Sequence, residues 1–423
     1  MIFSKKSIDL RRVVITGVGL ISSVGKNVPE SWENIRNGKS GISRITRFDA
    51  TDYYSKIAGE VKNYDPLEYF EKRDAKKMDP YIQFGMIAAS EAVEDSAFVN
   101  ASGLNPERAG VYIGSGIGGI LTIENNNEIL LERGPSRISP FFLTAAIANL
   151  ASGQVSIKHN LKGPNLANVT ACATSTHSIG DSFKMIQRGD ADIMVAGGAE
   201  YPITRLGVGG FSAIKALSTR NDDPEKASRP FDKERDGFVV AEGAAVVVLE
   251  DLEHAVKRGA KIYSEVVGYG LTGDAFHVTA PDMEADGAVR TMRMAINDAE
   301  IDVKDVDHIN AHGTSTPLND KVETKAIRKL FGSHAEKINV CSTKSMTGHM
   351  LGATGGAEAI FSALAVRDNF IPPTVNQEVS DEECDLNYTP NKGVEREIRY
   401  ALSNSFGFGG TNGTLLLKKF ENK

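Results

Sequence analysis

Residues 165–190 read NLANVTACATSTHSIGDSFKMIQRGD. NLANVTA (165–171) is an apolar run that reads as a buried strand. STHSIGDSFKMIQRGD (175–190) places Ile179, Phe183 and Ile186 at i, i+4 and i+7, on one face of a helix, with Gly189 as its stop. A strand passing into a helix is the repeating unit of a parallel sheet with helical layers. Cys172 sits at the junction. A lone cysteine beside alanines is usually packing. At a helix N-terminus, however, unsatisfied N–H groups and the positive end of the dipole favour thiolate, which suits a nucleophile. Cys341 lies inside a strand run and reads as core. Cys384 sits in DEECD, where like charge disfavours thiolate. If one thiol reacts, it is Cys172.

The flanking chain continues the alternation. RRVVITGVG (11–19), RAGVYIGSG (108–116), ADIMVAGG (191–198) and GAAVVVLE (243–250) read as buried strands, and PYIQFGMIAASEAVEDSAF (80–98) as a helix. Further on, 287–301, 320–332 and 354–369 read as helices and 305–314 and 338–345 as strands. YALSNSFGFGGTNGTLLLKK (400–419) reads as two strands around a glycine-rich bend. ASEAVEDSA (89–97) and MRMAINDAE (292–300) share A-x-x-D, which fits two related halves, 1–258 and 259–423, with a site at their interface.

Composition narrows the function. The 423 residues suffice for two core-forming units of roughly 200 residues each. The net charge of −7 argues against chain-wide attraction to nucleic acid or an anionic membrane. Three cysteines without a CxxC pair indicate a reducing compartment. No apolar run approaches the ~18 residues of a membrane span. The opening MIFSKKSIDLRR has no apolar h-region, so the reading is cytoplasmic. GSGIGG (114–119) matches a dinucleotide fingerprint, but Asn125–Asn127 break the pattern that follows, so gly-lined turns are the preferred reading.

Four polar stretches fall at strand ends. The first holds Cys172. NAHGTST (310–316) puts His312 where ligands bind in parallel sheets, at the C-terminal end of a strand. STKSMTGHMLGATGGAE (342–358) combines Lys344 and His349 with four glycines. NSFGFGGTNG (404–413) interleaves Phe406 and Phe408 with glycines and can present a backbone N–H to a substrate oxygen or gate an apolar channel. A thiol, two imidazoles and exposed amides make an acyl-transfer set. The second histidine points to a further charged intermediate.

On TACATSTHSIG, NAHGTSTPLND, STKSMTGHMLGA, SNSFGFGGTN, GPSRISPFF, ALSTRND and SRPFDKERDGFV, in matching order over nearly the whole chain, the sequence resembles the β-ketoacyl-[acyl-carrier-protein] synthases, most closely their type II branch. The resemblance implies an α/β thiolase-like fold, a five-layered α-β-α-β-α stack from two similar halves, in a homodimer. It implies that Cys172 takes an acyl chain from acyl carrier protein as a thioester. Malonyl carrier protein then loses carbon dioxide and its carbanion attacks that thioester. His312 and His349 would stabilise the enolate, and the Cys172 and Phe408 N–H groups the tetrahedral intermediate. Lys344 would order the histidines and Glu358. Thr314 and Thr316 would meet the pantetheine arm, which belongs to the substrate, so no cofactor and no catalytic metal are implied. Ile117, Phe142 and Phe211 match the acyl-pocket wall, with Phe406 at the gate. Asn310, Glu358 and Asn404 match a structural monovalent-cation site. Arg73, Lys76 and Lys77, at i, i+3 and i+4, would share a helix face for the acidic carrier protein, with Lys215 beside them. A type I or polyketide-type ketosynthase would use the same Cys-His-His set. Thiolases need a second cysteine near the C-terminus, and none follows Cys384. The chalcone-synthase branch pairs Cys with His and Asn, against the two histidines here. A partner subunit that only shapes a heterodimer lacks the thiol, and a hydrolytic cysteine enzyme needs no malonyl substrate.

Overall fold

A computed structural model describes residues 9–101 and 103–421; most of the opening segment read for a leader lies outside them. Ten strands form one sheet: β1 (Val13–Ser22), β2 (Ala109–Gly114), β3 (Asn165–Leu166), β4 (Ile193–Glu200), β5 (Gly243–Asp251), β6 (Ser264–Gly273), β7 (His308–Asn310), β8 (Asn339–Cys341), β9 (Tyr400–Gly407) and β10 (Thr411–Lys418). Their order is β8-β7-β9-β10-β6-β1-β5-β4-β2-β3. The seam between β6 and β1 is short, Val13–Ile15 against Ser264–Val266. On either side of it five strands follow the same scheme. Counted within each half, the order from the outer edge is third, second, fourth, fifth, first. The fifth strand is antiparallel to its neighbours on both sides, and the others run parallel, in each half alike.

The helices complete the stack. α1 (Pro80–Ser96) and α2 (Leu150–His159) cover the outer face of the first half-sheet. α3 (Thr174–Gln187) and α6 (Thr354–Asp368) pack on each other and touch strands of both half-sheets. α4 (Asp286–Asp298) covers the second half-sheet, with α5 (Pro317–Phe331) alongside. The result is the five-layered thiolase-like α-β-α-β-α arrangement. α6 is buried from Thr354 to Val366, as a helix apolar on all sides must be. The central core holds Ile179, Phe183 and Ile186 against Ile360, Phe361 and Leu364. Each such side chain, fully buried, contributes about 1.5–3 kcal/mol.

The A-x-x-D repeat has a physical basis. Asp95 of α1 accepts the Val18 N–H of β1 (3.1 Å), and Asp298 of α4 accepts the Tyr269 N–H of β6 (2.9 Å). A Cβ on Gly17 or Gly19 would strike carbonyl oxygens of Ala92 and Ala88. One on Gly268 or Gly270 would strike those of Ala295 and Thr291. Each half therefore presses a glycine-bearing first strand onto an outer helix. These glycines kept β6 from being legible as a strand.

Other expectations shift. The strand at NLANVTA stops at Leu166, and that at 305–314 spans only His308–Asn310. Residues 120–133 are helical directly after GSGIGG. The asparagines do not break that helix, because Asn126 donates to the Thr122 carbonyl and accepts from the Ser139 N–H. A cut at 258/259 falls in the link between a short helix, Leu252–Lys257, and β6. Among the described residues no helix is long and apolar enough to cross a membrane.

Candidate active site

Cys172 lies in a short 3₁₀ turn, Ala171–Ala173, that feeds directly into α3. Ala171 has φ +49°, a left-handed value that a non-glycine residue adopts only under constraint. The thiol thus stands on a sharp elbow and not at a strand end. His312 lies two residues past β7. Its N–H and that of Gly313 donate to the two oxygens of Glu323 at 2.9 and 2.8 Å. His349 follows a four-residue helix, Lys344–Thr347. Its Nε2 is 3.0 Å from Cys172 Sγ and its Nδ1 3.0 Å from Thr354 Oγ1. The two imidazole rings are 5.5 Å apart, edge to face. Sγ and a nitrogen of each ring all lie within 4.8 Å of one another. The Lys344 ammonium meets Glu358 at 2.5 Å, and both side chains are 1% exposed. The backbone N–H groups of Phe408 and of Cys172 itself favour the charged form of the sulfur.

These groups open onto a cavity of about 410 Å³ lined from both halves. Cys172, Phe211, Lys215, Phe238, His312, Thr314, Thr316, His349, Leu351, Phe406 and Phe408 all line it. Thr314 and Thr316 share a hydrogen bond at 2.9 Å. Ile117 and Phe142 are not in the lining. Ile117 is exposed and Phe142 half-buried, in a region where Leu131, Leu143, Ile157 and Val169 are also exposed. The carrier patch is regrouped. Lys72, Arg73, Lys76, Lys77 and Phe141 line a surface depression, whereas Lys215 stands at the mouth of the Cys172 cavity. The expected helix face is shorter than the spacing suggested, because the helix spans Lys72–Ala75 and Lys76 caps it. Lys77 is also tied to Asp74 at 2.6 Å. Asn310 Oδ1 and Glu358 Oε2 are buried without a hydrogen-bond partner, while Asn404 Oδ1 accepts from Thr414.

Burial dominates the electrostatics. It pushes the Cys172 thiol up to about 12, against the lowering effect of the Lys344 charge and the Phe408 N–H. The resting group is therefore a thiol, contrary to the thiolate the helix N-terminus suggested. Desolvation of the elbow outweighs the dipole. Both imidazoles are held well below the ordinary histidine range, first by burial and then by the Lys344 charge, so both are neutral. Burial raises Glu358 and Glu323 to about 7, and each keeps hydrogen-bond donors that favour its charged form. Cys341, in β8, and Cys384 are also raised by burial, and neither lines the cavity.

Two buried carboxylates escaped the sequence reading. Glu323 looked like one polar position among many in a charged helix. Glu200 follows AGGA with no motif of its own. It accepts from Ser115, Gly116, Ile117 and Gly352, which explains why GSGIGG is no phosphate loop: its amides are filled by the protein's own carboxylate.

A nucleophilic thiol and paired neutral imidazoles where two thiolase-like halves meet define a condensing-enzyme type of site. Residues 10–255 match the model of the beta-ketoacyl synthase N-terminal domain and residues 263–378 that of its C-terminal domain. The chain belongs to the β-ketoacyl synthase family. It is 55% identical over 411 residues to a 3-oxoacyl-[acyl-carrier-protein] synthase 2 of Coxiella burnetii, covering 97% of this chain and 99% of that protein. It is 53% identical, with the same coverage, to the synthase 2 of Staphylococcus aureus. Among solved structures, a beta-ketoacyl synthase from Burkholderia phymatum superposes with a TM-score of 0.90 at 32% identity, over 97% of this chain and all of that one. A type II polyketide ketosynthase solved with its acyl-carrier protein gives 0.89 at 34%, again over 97% and 100% of the two chains.

Proposed function

We propose that the chain is a 3-oxoacyl-[acyl-carrier-protein] synthase, joining malonyl carrier protein to an acyl chain held on Cys172 in fatty-acid elongation. The observation that carries this reading is the 3.0 Å contact between Cys172 Sγ and neutral His349, with His312 alongside in one cavity. In the first stage His349 Nε2 accepts the thiol proton and the sulfur attacks the acyl thioester. The Cys172 and Phe408 N–H groups hold the oxyanion, and the carrier thiol leaves with a proton. In the second stage His312 and His349 donate hydrogen bonds to the malonyl thioester oxygen. The carbon–carboxylate bond breaks, carbon dioxide departs, and the enolate carbon attacks the Cys172 thioester, releasing the 3-oxoacyl product and the sulfur. The Thr354 hydroxyl can donate or accept, so it serves His349 in either tautomer. Each oxyanion donor is worth about 3–4 kcal/mol of barrier. Burial keeps the imidazoles neutral, and the Lys344 charge, paired with Glu358, adds to the effect.

Thr314 and Thr316 receive the pantetheine arm, and Phe211 and Phe406 face the acyl chain. The chemistry asks no cofactor of the protein. Cys172, His312 and His349 also form a three-donor set for a soft metal, but the nearby Lys344 charge opposes a cation there. The free oxygens of Asn310 and Glu358 fit a structural monovalent cation. Ile117, Phe142 and the exposed apolar residues around them, with the outer edge of β3, form the face of a homodimer. The cluster of Arg73, Lys76 and Lys77 receives acyl carrier protein. The chain works in the cytoplasm, without nucleic acid or membrane.

The test is intact-mass spectrometry after mixing the protein with carrier protein bearing acyl chains of graded length. One acyl mass on the Cys172 peptide, discharged only by malonyl carrier protein, is the expected result. Spontaneous loss as free acid would make the protein a hydrolase, and no loading at any length would remove the nucleophile.

A further inference from the structure

Glu200 ends β4 and is fully buried. Among the described residues no lysine or arginine pairs with it. A buried carboxylate without a cation is expensive unless hydrogen bonds replace its water. Here four do: Ser115 Oγ at 3.0 Å, Gly116 N–H at 2.7 Å, Ile117 N–H at 3.0 Å and Gly352 N–H at 2.9 Å. The donors come from two turns, one after β2 in the first half and one before α6 in the second. The turns touch so closely that a Cβ on Gly352 would strike the Gly116 nitrogen. A Cβ on Gly116 would also stand 3.6 Å from the carbonyl of Ala171, the residue before the nucleophile. Leu351, beside Gly352, lines the cavity. Burial pushes Glu200 up to about 7, and the same four donors hold the charge in place.

We propose that Glu200 is a positioning residue for acyl-chain length: it clamps the Ile117 turn against the Cys172 elbow and the Leu351–Gly352 turn, and so limits how deep an acyl chain can lie. This rests on the condensing reading above and on Leu351, beside the Gly352 N–H that Glu200 accepts, lining the cavity. The Glu200→Gln side chain keeps the shape but turns one acceptor into a donor, so a backbone N–H loses its partner and the turn loosens.

The experiment measures loading of Cys172 by mass spectrometry, with carrier protein charged with short and long acyl chains. In Glu200→Gln the long-to-short ratio of loading rates rises about tenfold, the scale on which an apolar pocket discriminates neighbouring chain lengths. Ser115→Ala removes one donor only and shifts the ratio the same way by less. A uniform fall across all lengths in Glu200→Gln would mean plain loss of structure and would overturn the proposal. If Glu200→Gln does not fold, an unchanged ratio in Ser115→Ala overturns it. Failure of the condensing reading is distinguishable, because the parent protein would then load no chain.

Discussion

Ala171–Cys172–Ala173–Thr174 in the first half and Leu351–Gly352–Ala353–Thr354 in the second occupy the same place in their half-sheets. Each is a 3₁₀ turn opening the central helix. Each starts on a left-handed non-glycine residue, with φ +49° at Ala171 and +45° at Leu351. The turn after the second strand is also handled alike. Glu200 grips Gly116 and Ile117 in one half, and Glu323 grips His312 and Gly313 in the other. What differs is the side chain each half offers the cavity. The first presents a thiol where the second has Gly352. The second presents His312 where the first has the Gly116 loop, and His349 where the first has Val169. A duplicated scaffold has been divided into a half that holds the acyl group and a half that handles negative charge.

The sharpest way to break this comparison is Cys172→Gly, which gives the first elbow the residue of the second. Condensation falls by at least about ten-thousandfold, the scale for losing a covalent nucleophile. Malonyl carrier protein still releases carbon dioxide, because the imidazoles remain. Carbon dioxide release that vanished with the thiol would show that the two roles are not divided between the halves. Next in size, His312→Ala lowers carbon dioxide release about a hundred- to thousandfold, as loss of one oxyanion donor does. Acyl loading of Cys172 suffers much less. Equal losses in both steps would erase the distinction.

Lys344→Met sharpens the comparison through pH. Burial first, and the Lys344 charge after it, hold His349 below the ordinary histidine range. Removal of that charge lets the imidazole take a proton at higher pH, and a protonated imidazole cannot accept from the thiol. The acid limb of the acyl-loading rate therefore moves to higher pH. The parent shows no inflection near the ordinary histidine value. Superimposable profiles would exclude this coupling. The smallest effect belongs to the surface. Reversing Arg73, Lys76 and Lys77 to glutamate raises KM for carrier-bound substrate about fivefold at low salt and less at high salt. An unchanged KM with unchanged salt dependence removes the cluster from the docking face.

Much of this was legible in the sequence because strand-to-helix junctions carry composition signals. Cys172, His312, Lys344 and His349 each sit in a small-residue stretch after an apolar run, and the A-x-x-D pair marks the repeat. Other features escaped for definite reasons. β6 was hidden because its packing on α4 demands glycines, which read as loop. Glu200 and Glu323 were hidden because their meaning lies in backbone N–H groups distant in sequence. The state of the Cys172 thiol was misread because local position reports a dipole and says nothing of burial.

The elbow at Cys172 also has a history during synthesis. The thiol leaves the ribosome in the first half of the chain, long before the bend that carries Phe408. Its base, His349, and its opposing amide both belong to later segments, and chains emerge at roughly 5–20 residues per second. A nascent chain thus carries the sulfur for many seconds without a base to take its proton or a second amide to hold an oxyanion. Reactivity arrives only when the last two strands close the second half-sheet, so an unfinished chain cannot capture acyl groups.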